Sequence, residues 1–141
     1  MFAPHQSASR AYRQLDVTTA VQTADPHRLI TLLYDGAIDA LVRARGALER
    51  GDVPAKGEAI SRALRIVEEG LKAALDERGG EVTANLRALY QHATLKLLRA
   101  NVENDGAAID EVAALLRELR AAWEAIRPAT APRNAAAGLA A

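Results

Sequence analysis

Three short breaks constrain this chain more than any other feature of it. Gly51-Asp52, Gly79-Gly80 and Asp105-Gly106 interrupt stretches that otherwise carry helical periodicity. Glycine is favoured just past the end of a helix and aspartate just before the start of one. Asp25-Pro26 supplies the first start, with Asp as N-cap and Pro at the first helical position, where its missing N–H costs nothing. Arg127-Pro128 supplies the last stop, because the residue before a proline avoids the helical region. Connections this short force neighbouring helices to run antiparallel. The expected fold is therefore all-α, an antiparallel up-down four-helix bundle over residues 25–127. Residues 1–24 form an N-terminal tail or capping segment. Residues 128–141 have no periodic face and are expected to be a disordered C-terminal tail. No segment alternates convincingly with period two, so no sheet is expected.

The helices carry more apolar surface than a small bundle needs. In the first, Pro26 to Arg50, one face holds Leu29, Leu33, Ala37, Ala40, Ala44 and Leu48, flanked by Ile30 and Leu41. Tyr34, Ile38 and Val42 extend the arc to about 200°, where a bundle helix needs little more than 100°. The second helix, Val53 to Arg78, has a core stripe of Ile60, Leu64, Val67, Leu71 and Leu75. Beside it runs a row of mostly small residues, Ala59, Ala63, Ile66, Gly70 and Ala73, which lets another backbone come close, in the bundle or in a partner. The third helix, Glu81 to Asn104, has a core stripe of Val82, Leu86, Leu89, Tyr90, Ala93, Leu97 and Ala100. Nearly opposite lie Ala84, Ala88, Leu95, Leu98 and Val102, which read either as the edge of a broad core or as a partner surface. The fourth helix places Ile109, Val112, Leu116, Leu119, Trp123 and Ile126 on one face, with Trp123 expected to be buried.

Composition removes whole classes of function. Acidic and basic residues balance at 18 each in 141 residues, which argues against a phosphate-binding role, so no nucleic acid is expected. There is no cysteine, hence no disulfide and no thiolate chemistry. No segment approaches the roughly 20 apolar residues of a membrane span, and the N-terminus lacks the apolar run of a signal peptide. The expectation is a cytoplasmic protein without direct membrane insertion. His5, His27 and His92 are not spaced for a metal, and no P-loop, dinucleotide fingerprint or nucleophile elbow is present. Asp35, Asp39 and Glu68-Glu69 read as solvated charges. No catalytic residue, cofactor or metal is expected; binding through apolar surface is.

At this point the residues resemble a known family. The pieces AYRQLDVTTAVQTADPHRLITLLYDGA, GDVPAKGEAISRALRIVEEGLKAALD, GGEVTANLRALYQHATLKLLRAN and EVAALLRELRAAW, in that order, resemble the flagellar secretion chaperones, the FliS family. The pattern is carried by Tyr12, Leu29, Leu33, Tyr34, Gly36, Leu89, Tyr90, Ala100-Asn101 and Trp123. The resemblance implies a bundle that binds the disordered C-terminal segment of flagellin, prevents premature polymerisation and delivers flagellin to the flagellar type III export gate protein. On this reading Tyr34, Ile38, Ala63, Ile66, Gly70, Ala88, Leu95, Leu98 and Val102 belong to the flagellin-binding stripes. Tyr12 and Leu15 would cap those stripes or touch the export gate. The rival readings are a homodimer or weaker self-association through the same stripes, a bundle that sequesters another disordered partner, and, more remotely, an enzyme.

Overall fold

The computed structural model describes residues 25–126, and these form four helices. The expectations for Tyr12, Leu15 and the two tails lie outside the described residues. Helix α1 spans Pro26–Glu49, with the Asp25 carboxylate accepting from the Arg28 amide at 2.7 Å. It closes at Gly51, whose φ of +75° suits a residue without a Cβ. The amides of Gly51 and Asp52 then cap the carbonyls of Leu48 and Ala47. Asp52 in turn accepts from the Ala55 amide and starts α2, Val53–Arg65. Helix α3 spans Gly80–Glu103, and α4 spans Gly106–Ala125 with Asp105 as its N-cap.

The second helix departs from expectation. Past Arg65 it winds wider, as a π-helical segment over Ile66–Lys72, and regular helix ends well short of Arg78. A single 3-10 turn, Glu77–Gly79, then leads into α3. The buried residues of this stretch come as pairs four apart: Ile66 with Val67, Gly70 with Leu71, Ala74 with Leu75. On a 3.6-residue helix such pairs would drift by about 40° at each step. A wider turn keeps them on one side, which is why the local winding changes.

Helix α1 lies between α2 and α4 and packs along both. Helix α3 completes the bundle against α4 and the π segment, diagonally across from α1. The core runs through Leu29, Leu33, Ala37, Leu41 and Ala44 of α1, Ile60, Ala63, Ile66, Val67 and Leu71, then Tyr90, Ala93, Leu97 and Ala100, and finally Ile109, Val112 and Leu116. Burying each of the larger side chains contributes about 1.5–3 kcal/mol. The broad arc of α1 is thereby absorbed: Tyr34 turns inward, Ile38 is partly covered and, of that arc, Val42 is left in solvent.

Polar contacts tie the ends together. The Trp123 indole N–H donates to the His27 carbonyl at 2.9 Å, the His27 ring donates through Nε2 to the Trp123 carbonyl at 2.9 Å, and the rings stack with centroids 4.4 Å apart. Trp123 is only partly buried, because one face rests on His27 near the open end of the bundle. Val82 and Ile126, expected in core stripes, sit in the terminal turns of α3 and just past α4 and are exposed. Asp35 is not a merely solvated charge: Arg120 reaches it from α4 at 2.5 Å. Glu68 likewise accepts from Thr94 of α3 at 2.8 Å and from Lys72.

Candidate docking surface

Helix α3 is apolar on two opposed sides. Its inner side supplies Tyr90, Ala93, Leu97 and Ala100 to the core. Its outer side presents Ala84, Ala88, Leu95, Leu98 and Val102, spaced as one stripe over five turns. These five are exposed, with Leu95 at 61%, Leu98 at 47% and Val102 at 84%. The reading of this stripe as a core edge is therefore corrected. Exposed apolar side chains on one helix face, here interrupted by Gln91 between Ala88 and Leu95, mark interaction surfaces.

The flanks of the stripe are polar and fixed. On one side Lys96 pairs with Glu111 of α4, beside a groove of about 420 Å³ lined by His92, Leu95, Arg99, Glu103 and Ala108. On the other side Thr94 and Arg87 bond to Glu68 and Glu77, beyond which a groove of about 620 Å³ opens between α2 and the end of α3. The stripe is thus a raised apolar ridge between two grooves, on a helix held rigidly from below.

The other expected stripe residues lie elsewhere. Ala63 and Ile66 are in the core and Tyr34 is 2% exposed, so none of the three faces a partner. Gly70 is buried as well: a Cβ there would stand 3.0 Å from Cδ2 of Leu33, so the close approach that Gly70 permits is made by α1. The wider winding of the π segment turns this row inward. Ile38 is partly buried against the core. Only Ala88, Leu95, Leu98 and Val102, of the nine, form one open surface.

Tyr34 and Tyr90 meet across the bundle with their hydroxyls 2.6 Å apart. Burial pushes both phenols above their ordinary range. Their hydroxyls are spent on each other inside the core, and the pair ties α1 to α3. Among the described residues no group of His, Asp and Glu is arranged to hold a metal ion, and no helix is long and apolar enough to cross a membrane.

One buried charge went unread in the sequence. Lys56 is 2% exposed, and its ammonium donates to both the backbone carbonyl and Oδ1 of Asn101, each at 2.7 Å. The Asn101 carbonyl lies in the last turn of α3, where carbonyls lack helical partners and the helix dipole is negative. Lys56 therefore caps α3 from α2, and this pays part of the cost of burying a cation. The signal was present: Lys56 stands four residues before Ile60, on the inward row of α2.

Fold and surface together define a class, an antiparallel helical bundle with an exposed apolar stripe on the outer side of α3. Comparison with known proteins gives the family. The family model described as flagellar protein FliS matches residues 8–130. The chain is 53% identical over 123 residues to the flagellar secretion chaperone FliS of Salmonella typhimurium, covering 86% of this chain and 91% of that one. It is 45% identical over 120 residues to the flagellar secretion chaperone FliSB of Pseudomonas aeruginosa, covering 84% and 94%. It is 32% identical over 136 residues to FliS of Bacillus subtilis, covering 96% and 98%. This chain belongs to the FliS family, a family of chaperones and not of enzymes.

Proposed function

We propose that this chain is a cytoplasmic export chaperone that holds the C-terminal segment of flagellin on the outer ridge of α3. The bound segment is kept from polymerising and is handed to the flagellar export gate. The observation that carries this reading is the exposed stripe Ala88, Leu95, Leu98 and Val102 on a helix whose other side is locked in the core.

The physics suits the task. A segment that packs only in the finished filament exposes an apolar face beforehand, and packing that face along a fixed apolar helix covers it. Ordering that segment costs conformational entropy, so a long apolar contact is needed. The stripe from Ala84 to Val102 offers a contact about 27 Å long. Ala84 and Ala88 let the partner backbone come close at one end, while Leu95, Leu98 and Val102 supply burial at the other.

The test is calorimetric titration of the full chain with the C-terminal segment of the cognate flagellin. Saturable binding that is lost in Leu95→Asp is expected. Absence of binding, or binding that ignores the substitution, refutes the reading.

A further inference from the structure

We propose that Asn101 is a specificity-determining contact beside the ridge, turned outward by Lys56 so that its amide NH₂ holds a side-chain carboxylate of the docked segment. This rests on the docking reading above and adds to it the chemistry of the partner.

An ammonium can only donate, so the Asn101 side-chain atom 2.7 Å from Lys56 Nζ must be the carbonyl oxygen. That fixes the amide: its two N–H donors point away from Lys56. They have no partner among the described residues, and Asn101 is only half-buried. The ammonium at Oδ1 also polarises the amide, which strengthens the donors on its far side.

The groove into which Asn101 opens has the matching charge. Gly57, Ser61, Arg62 and Arg65 line it, with Glu58 as the acidic group of the lining. Arg62 and Arg65 have no carboxylate within ion-pair distance among the described residues, whereas Arg45, Arg87 and Arg120 all do. Two free guanidinium groups, a hydroxyl and a fixed amide donor select an anionic acceptor, and the planar fork of arginine suits a carboxylate. The place matters as much as the charge. Asn101 follows Leu98 by three residues and precedes Val102, so the polar contact sits on the flank of the apolar ridge. A docked helix with an acidic residue on the corresponding flank is held in one register along α3, which an apolar stripe alone does not specify.

The decisive variant is Asn101→Asp, tested in the full chain by calorimetry with the C-terminal segment of the cognate flagellin. The substitution keeps the shape and gives Lys56 a carboxylate, so the melting temperature should hold or rise. It replaces the outward donor with an acceptor, so affinity should fall at least about tenfold. Arg65→Gln should cost a few-fold in affinity and flatten the salt dependence. A peptide with its Asp and Glu changed to Asn and Gln should bind the wild-type chain more weakly, and Asn101→Asp should then add little, as a double-mutant cycle requires for a direct contact. Wild-type and Asn101→Asp chains binding the acidic peptide within about twofold of each other would overturn the proposal. So would an equal loss for acidic and neutral peptides, or a lower melting temperature. A wild-type chain that binds neither peptide fails the docking reading itself, a distinct result.

Discussion

Helices α2 and α3 each carry two apolar rows, yet they use the second row in opposite ways. The second row of α2 and its π continuation is buried at Ala63, Ile66 and Gly70, with Ala59 partly covered and Ala73 exposed at its end, and its glycine admits Leu33 of α1. The second row of α3, Ala88, Leu95, Leu98 and Val102, is open to solvent. The rows of α2 adjoin, and a wider local turn merges them into one face. The rows of α3 are nearly opposite, and no change of winding can bring both inward. A second apolar row therefore stays exposed only when it stands well away from the first.

The largest effect expected from this contrast is on stability. Ile66→Asp places a charge in the core and should cost about 4 kcal/mol or more, enough to unfold a domain of ordinary stability. Leu95→Asp, on the open row, should stay within about 0.5 kcal/mol of wild type. Urea denaturation of the two variants decides it; comparable losses would mean the two rows are not different in kind.

A smaller effect sharpens the link between α1 and α3. Tyr34→Phe leaves the Tyr90 hydroxyl buried without its partner and should cost about 1–3 kcal/mol. The double Phe variant should lose less than the single ones together, since no orphan hydroxyl remains. Additive losses in the denaturation midpoints would show that the two hydroxyls do not act as a pair.

The smallest effect is at the turn where α2 gives way to α3. The side-chain and backbone hydrogen bonds from Arg78 hold the Asp76 carboxyl down at about 2, against 3.8 ordinarily. A carboxyl lowered on folding adds stability that is complete above its unfolded value and lost as pH falls through its folded one. The contribution should thus fade between about 3.8 and about 2. Melting curves of Asp76→Asn should converge on wild type across that window. Curves that keep their separation at low pH would mean that Asp76 acts on the turn by something other than its charge.

Much of this is legible in the sequence. Asp25-Pro26, Gly51-Asp52 and Asp105-Gly106 announce their caps in local chemistry, and the caps stand where that chemistry puts them. The ridge of α3 was legible too, because Ala84, Ala88, Leu95, Leu98 and Val102 keep ordinary helical spacing. The π segment was not. A wheel drawn at constant winding assumes away the change that buries Ile66 and Gly70. The roles of Lys56, Asp35 and Glu68 were also hidden, since each depends on a partner many residues distant, Asn101, Arg120 and Thr94. Local pattern carries the elements; which charge meets which is decided by packing.

Whether the outer ridge of α3 is the docking surface is decided by one titration. Wild-type chain and the Leu98→Asp, Val102→Asp double variant are titrated by calorimetry with the C-terminal segment of the cognate flagellin, after their melting temperatures have been compared. Closely similar melting temperatures and a loss of affinity of at least about a hundredfold are expected, since two apolar contacts are replaced by desolvated charges. Equal affinity for the two proteins, with both folded, would contradict it and place the docking surface elsewhere.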